Sequence, residues 1–150
     1  MADRKRLIHL VQQLIRIDSQ NLPGNESEIA AFLKDYLTRL GIKAKIYEFK
    51  KNRSNLVATI GRKTNVHSLL ITPHLDTVPA GKNWKINPFS GSISKGRIYG
   101  LGATDCKGNL AAALEAIRGI IKDKISLKYK LTFAATADEE TGSRLGLVPL

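Results

Sequence analysis

Ser68-Leu69-Leu70-Ile71-Thr72-Pro73-His74-Leu75-Asp76-Thr77-Val78-Pro79 is the stretch from which the rest of the chain is best read. Its first five residues are short, apolar and bounded by turn formers. That pattern predicts a strand buried on both faces, in the middle of an α/β sheet. A histidine and an aspartate, one residue apart, follow at once. In an extended segment such a pair points the same way. The imidazole of His74 can then face a metal ion while the carboxylate of Asp76 orients the ring. Taken alone, the triplet fits a turn histidine beside a capping aspartate better, since such triplets are common by chance.

Working outward, Leu7, Leu10, Val11, Leu14 and Ile15 recur at the spacing of an amphipathic helix. Asn21-Leu22-Pro23-Gly24 breaks it. Asn25 with Glu28 three residues on predicts the start of a second helix, carrying Ile29, Phe32, Leu33, Tyr36, Leu37 and Leu40 and stopped by Gly41. Ile42, Ala44 and Ile46 then alternate with lysines, a strand with one wet face. Asn55 to Ile60 reads as another strand, and Leu127 to Thr136 as a second strong strand candidate. Pro79 to Gly100 is rich in turn formers, with room for one short hairpin. Gly108 to Ile121 is an Ala- and Leu-rich helix, and a further helix is expected to start near Ser143. This order predicts a layered α/β sheet, whose ligands bind beyond the carboxyl ends of the strands.

Two more loops meet that rule. Gly100-Leu101-Gly102-Ala103-Thr104-Asp105-Cys106-Lys107-Gly108 precedes the Ala-rich helix. Its glycines allow a tight path and close backbone approach. Asp105 is either a simple N-cap or a ligand. The phosphate-loop pattern G-x-x-x-x-G-K-[ST] is absent. Ala137-Asp138-Glu139-Glu140-Thr141-Gly142 follows the second strong strand. Three successive acids there repel one another, and a cation would relieve that; a solvated acidic turn is the plainer alternative. Together the loops place one histidine and several carboxylates at the ends of separate elements, as metal sites require.

Composition narrows the classes. The 150 residues suit one domain, and 43% hydrophobic with 25% charged residues excludes a disordered tail. No apolar run approaches the ~20 residues of a membrane helix, and no signal-type core follows Met1 to Arg6, so a cytoplasmic location is expected. One cysteine excludes an internal disulfide framework. The formal charge of +11 invites a nucleic-acid reading. However, the basic residues are dispersed over Arg4 to Arg6, Lys43 to Arg53, Arg62, Lys63 and on to Arg144, with no recognition motif among them. The acids are the concentrated resource. Residues 64–150 hold seven, and Asp76, Asp105, Asp138, Glu139 and Glu140 lie in the three loops.

The three motifs, in order and spacing, resemble the dinuclear zinc amidohydrolase and exopeptidase family of acetylornithine deacetylase, succinyl-diaminopimelate desuccinylase, aminoacylase, dipeptidases and glutamate carboxypeptidase. Trp84, Pro88-Phe89 and Arg97-Ile98-Tyr99-Gly100 match the family's run between the first two motifs. The resemblance implies a layered α/β/α sandwich with a mixed, mostly parallel central sheet. It implies that His74 binds one metal, Asp105 bridges two and Glu140 binds the second. Asp76 would hold the His74 ring and Glu139 would be the general base. The implied cofactor is a pair of Zn2+ ions, with Co2+ or Mn2+ possible. The implied reaction is hydrolysis of an amide in a small N-acyl amino acid or peptide by metal-activated water.

The chain departs from that family in places. Pro73 stands where glycine is usual. Cys106 stands where methionine is common, either packing as a small apolar residue or serving as an adventitious ligand. Family members run to more than twice this length. An acidic ligand and a histidine ligand expected beyond Glu140 have no counterpart here, nor has the lid or dimerisation domain. His9 and His67 read as ordinary surface or half-buried histidines. The chain therefore reads as the N-terminal part of a catalytic domain, with self-association or a missing C-terminal half as expected partners. The alternatives are an inactive fragment or half of a split enzyme that keeps partial metal binding, and, remotely, a basic nucleic-acid-binding domain.

Overall fold

The computed structural model describes residues 2–61 and 67–150; Arg62 and Lys63 lie outside them. Helix α1 (Arg4–Arg16) forms where the apolar stripe predicts it and buries Leu10, Val11, Leu14 and Ile15. Asp3 caps it, its side chain accepting the Arg6 N–H at 2.9 Å, which satisfies one of the open donors of the first turn. Helix α2 (Glu26–Arg39) follows the Asn-Leu-Pro-Gly break, and Gly41 takes the left-handed φ of +77° just beyond its end. The alternating segment becomes β1 (Ala44–Lys50), which turns back into β2 (Arg53–Gly61). After β3 (Ser68–Ile71), the Gly- and Pro-rich excursion holds one hairpin, β4 (Ser92–Ser94) with β5 (Arg97–Tyr99). Helix α3 (Lys107–Lys122) and strand β6 (Lys130–Ala135) complete the regular elements.

The main sheet has the order β1-β2-β6-β3. It is mixed, as expected, but its balance differs from the mostly parallel sheet anticipated. β1–β2 and β2–β6 are antiparallel, and only β3–β6 is parallel. The lysines alternating through residues 43–45 carried that signal, because a strand with one wet face is the mark of antiparallel pairing.

Strand β3 is also not the doubly buried strand its composition predicts. It sits at the edge of the described sheet, with Leu70 53% exposed, and β6 takes the inner place. One core cluster joins all three helices to one sheet face, through Leu56, Ala58 and Ile60 of β2 and Leu131, Phe133 and Ala135 of β6. The alternate residues Val57, Leu70, Thr132 and Ala134 turn to the other face, where Leu147 and Leu150 share a hollow of about 240 Å³ with them. Among the described residues no helix covers that side, and Leu70 stays largely exposed. The helix expected near Ser143 is likewise absent. Gly142 (φ 101°) and Ser143 (φ 58°) are both left-handed, and turns follow.

Phe133 is fully buried at the centre of the cluster. Phe133→Ala is expected to cost about 3–5 kcal/mol of unfolding free energy, read from urea melts. A buried carboxylate fastens the other side of the core. Glu115 of α3, 2% exposed, accepts from Arg6 Nη2 at 2.5 Å and from the Asp3 N–H at 2.9 Å. The Arg6 bond, against the opposing cost of burial, holds the Glu115 carboxyl below its ordinary range. Its contribution is therefore complete above the ordinary glutamate range and is lost as pH falls through the lowered folded value. An acid titration of Glu115→Gln should show lower stability at neutral pH and a shallower acid limb than the wild type; parallel acid limbs would refute this.

Candidate metal centre

The parallel ladder between β3 and β6 continues past both strands. The Thr136 N–H donates to Pro73 O at 3.0 Å, and the Leu75 N–H to Thr136 O at 2.7 Å. The ladder takes the Pro73 carbonyl and the Leu75 N–H, so proline's missing donor costs nothing here. Fully buried Leu75 anchors the segment, and His74 and Asp76 on either side of it are 8% and 0% exposed. Residues 19–21 clamp the loop from the other edge: the Thr77 N–H donates to Ser19 O and the Asn21 N–H to Thr77 O.

The glycine loop brings Asp105 to this point. Gly102 adopts φ +75°, and a Cβ on Gly108 would stand 2.5 Å from Ala103 O. Both positions need the missing side chain. The N-cap position of α3 is Cys106, and no side chain caps that helix. Asp105 is therefore not a cap. Its carboxylate instead lies 2.8 Å from His74 Nε2, with its side chain 77% exposed. Cys106 is buried, its thiol facing His74 O at 3.5 Å. Lys107 is buried too, its Nζ donating to Ile17 O at 2.7 Å and so fastening the loop to the end of α1.

The acidic loop is not a solvated turn. Its three acids divide: Asp138 turns inward to Arg53 at 2.8 Å, while Glu139 and Glu140 turn toward His74. Asp76 holds the loop's backbone, its carboxylate accepting the N–H groups of Glu139 and Glu140, each at 3.1 Å, and Asn21 Nδ2 at 2.9 Å. Its grip on the His74 ring is divided. Nδ1 lies 3.0 Å from the Asp76 carbonyl and 3.5 Å from its carboxylate. Asp76 thus ties the first loop to the third, a task its place in H-x-D did not suggest.

His74 Nδ1 faces a carbonyl and must donate. Nε2 faces the Asp105 carboxylate at 2.8 Å and donates to it when the ring is protonated. Burial disfavours this doubly protonated ring. The contacts with Asp76, Cys106 and Asp105 nonetheless outweigh burial and push His74 up to about 11. Glu140 is raised, first by burial, with His74 opposing and the charges of Asp105, Asp76 and Glu139 adding to the rise. The carboxylates of Asp76, Asp105, Glu139 and Glu140 thus gather around a single imidazole.

The donor atoms suit such a cation. One ligand atom each from His74, Glu139 and Glu140 lie within 4.8 Å of one another, as do those of His74, Asp105 and Cys106. An imidazole nitrogen with carboxylate oxygens fits zinc, cobalt or manganese. Asp105 borders two clefts. One, of about 390 Å³, is shared with Glu140, Trp84 and Tyr99; the other, of about 400 Å³, with His74, Cys106, Asn109 and Glu139. His9 and His67 are both exposed and away from the site. Asn21, Glu26, Arg53 and Asn55, which support the loops, carried no sequence signal beyond turn, helix or strand membership.

Residues 70–150 match the family model for peptidase family M20/M25/M40. A probable succinyl-diaminopimelate desuccinylase of Staphylococcus epidermidis is 34% identical over 136 residues, covering 89% of this chain and 33% of that protein. The succinyl-diaminopimelate desuccinylase of Pelagibacter ubique is 33% identical over 139 residues, covering 89% of this chain and 35% of its own. An M20 family metallo-carboxypeptidase from Sulfolobus solfataricus superposes with a TM-score of 0.81 at 32% identity, over 94% of this chain and 32% of that one. Human carnosine dipeptidase 1, at 22% identity, shares the fold, with a TM-score of 0.82 over 94% of this chain and 33% of that one. The chain spans about a third of the length of these relatives. Among the described residues no helix is long and apolar enough to cross a membrane.

Proposed function

The chain belongs to peptidase family M20/M25/M40, and from that premise we propose that its three loops supply part of a divalent-cation site for hydrolysing the amide of a small peptide or N-acyl amino acid. The observation that carries this reading is the His74 ring, held by Asp76 on one nitrogen and aimed at Asp105 with the other. His74, Asp105 and Glu140 would hold the cation, and the second oxygen of Asp105 would be available to a second ion. Zn2+ is the first choice, with Co2+ or Mn2+ compatible with the same donors. A bound divalent cation supplies acidified water and polarises the scissile carbonyl.

The chain's own residues do the rest. Glu139, half exposed and 3.9 Å from His74 Nε2, takes the proton of the attacking water and passes it to the leaving amine. Asp76 takes the Nδ1 side of the His74 ring, so that Nε2, once it gives up its proton, would be the ligating nitrogen. Trp84 and Tyr99 wall the cleft beside Asp105 and Glu140 and would flank the substrate.

The test is calorimetric titration with Zn2+ in two buffers of different ionisation enthalpy. Stoichiometric binding is expected, with about one proton released per ion and affinity rising with pH across the neutral range. An affinity no greater than that of a scrambled-sequence control sinks the proposal. Binding without hydrolysis of N-acyl amino acids would keep the cation site and remove the hydrolytic part of the proposal.

A further inference from the structure

Arg53, the first residue of β2, is 5% exposed, a rare place for a guanidinium. Its Nε and Nη2 meet Glu26 Oε2 and Oε1 at 2.7 and 2.9 Å, and Nη2 also meets Asp138 Oδ1 at 2.8 Å. Glu26, fully buried at the start of α2, accepts the Asp138 N–H as well, at 3.3 Å. The chain is cleared for this group: at Gly24, φ +85°, a Cβ would stand 2.5 Å from the Arg53 Cζ. The rest of Asp138 is taken up by the Thr141 hydroxyl at 2.6 Å and the Leu145 N–H at 3.1 Å.

Burying one guanidinium with two carboxylates is a poor source of stability, because desolvation offsets most of the attraction. An apolar trio would join β2, α2 and the loop after β6 as firmly. What the ions add is direction. A planar fork donates to its carboxylates in one geometry, and the last of them belongs to the residue just before Glu139. Asp138 itself is left-handed, with φ 66° and ψ 20°. Arg53 and Glu26 hold the loop from behind, and Asp76 holds the Glu139 and Glu140 N–H groups from the front. The two glutamate side chains are thereby left to project toward His74.

We propose that Arg53 is a positioning residue, which with Glu26 fixes Asp138 and so aims Glu139 and Glu140 at His74. Only the cation readout of its test rests on the metal-site reading above. Two variants test it: Arg53→Lys, which keeps the charge but not the fork, and the double variant Arg53→Met with Glu26→Met, which removes one carboxylate with the guanidinium. Amide hydrogen exchange and Co2+ affinity are measured on each.

In both variants, exchange at Glu139 and Glu140 is expected to rise at least ~10-fold while Leu131 and Phe133 of β6 keep their protection, and the Co2+ dissociation constant to rise ~10–100-fold, the usual range for loss of an outer support. Unchanged protection at Glu139 and Glu140 in both variants overturns the proposal. So does faster exchange throughout β6, or failure of both variants to fold, since either marks a merely structural role. A wild type without Co2+ affinity defeats the metal-site reading, and the exchange data still decide the role of Arg53.

Discussion

A chain carrying Asp105→Ala is expected to fold like the wild type and to lose its stoichiometric affinity for Zn2+ or Co2+. The fold does not need this side chain. It is 77% exposed, and the N-cap position of α3 belongs to the next residue. Its carboxylate lies 2.8 Å from His74 Nε2, and it borders both clefts of the site. Loss of a support behind a ligand typically costs 10–100-fold in metal affinity, so loss of a ligand placed to bridge should cost at least ~100-fold. The competing reading of Asp105 as a helix cap predicts the reverse: a helix weakened by about 1 kcal/mol and an unchanged affinity. Calorimetric titration beside a thermal melt separates them. An affinity within ~3-fold of the wild type, when a ligand should cost far more, would remove Asp105 from the site.

The three loops were legible because few residue types can ligate a cation, and the chain has few acids to spare. Which of those acids would ligate was not readable from identity; the expectation for His74, Asp105 and Glu140 came from the family resemblance. The helices were legible for a different reason: spacing such as that of Leu10, Val11, Leu14 and Ile15 admits one geometry. What stayed hidden depended on distant partners. Leu69 and Leu70 show which residues favour burial, not whether a layer lies over them. Arg53 looks like any dispersed basic residue until Asp138, 85 positions away, closes on it. Asn21 reads as turn punctuation, yet its amide reaches Asp76 and, 117 positions along, Asp138. The helix expected near Ser143 does not form because Gly142 and Ser143 are both left-handed there, a backbone setting that the local composition did not announce.

The same acids explain the net charge. Glu115 is bonded to Arg6 and Asp138 to Arg53, while Asp105, Glu139 and Glu140 gather on one histidine. The +11 therefore reflects where acids are missing elsewhere. A bound cation would make the site more positive still, so the surplus gives no support to a nucleic-acid surface.

With the site loaded, Glu139→Gln should lower amide hydrolysis by ~10²–10⁴-fold while leaving cation affinity within about threefold, the pattern for loss of a proton shuttle. Its nearest oxygen is 3.9 Å from His74 Nε2, beyond hydrogen-bond reach, and its side chain is 53% exposed. The backbone N–H that ties it to Asp76 survives the substitution, so the loop keeps its place. A glutamine of the same length fills the same space and cannot accept a proton. Glu140 should behave in the opposite way. It is half-buried among Asp76, Asp105 and Glu139, an environment that raises its carboxyl and that a cation would relieve. Glu140→Gln should therefore weaken binding first and turnover only as a consequence. Affinity can be read without any turnover, so the two variants separate the roles even in a chain that binds but does not hydrolyse. If Glu139→Gln were the variant that lost affinity, and Glu140→Gln the one that kept it, the two adjacent glutamates would have to exchange tasks.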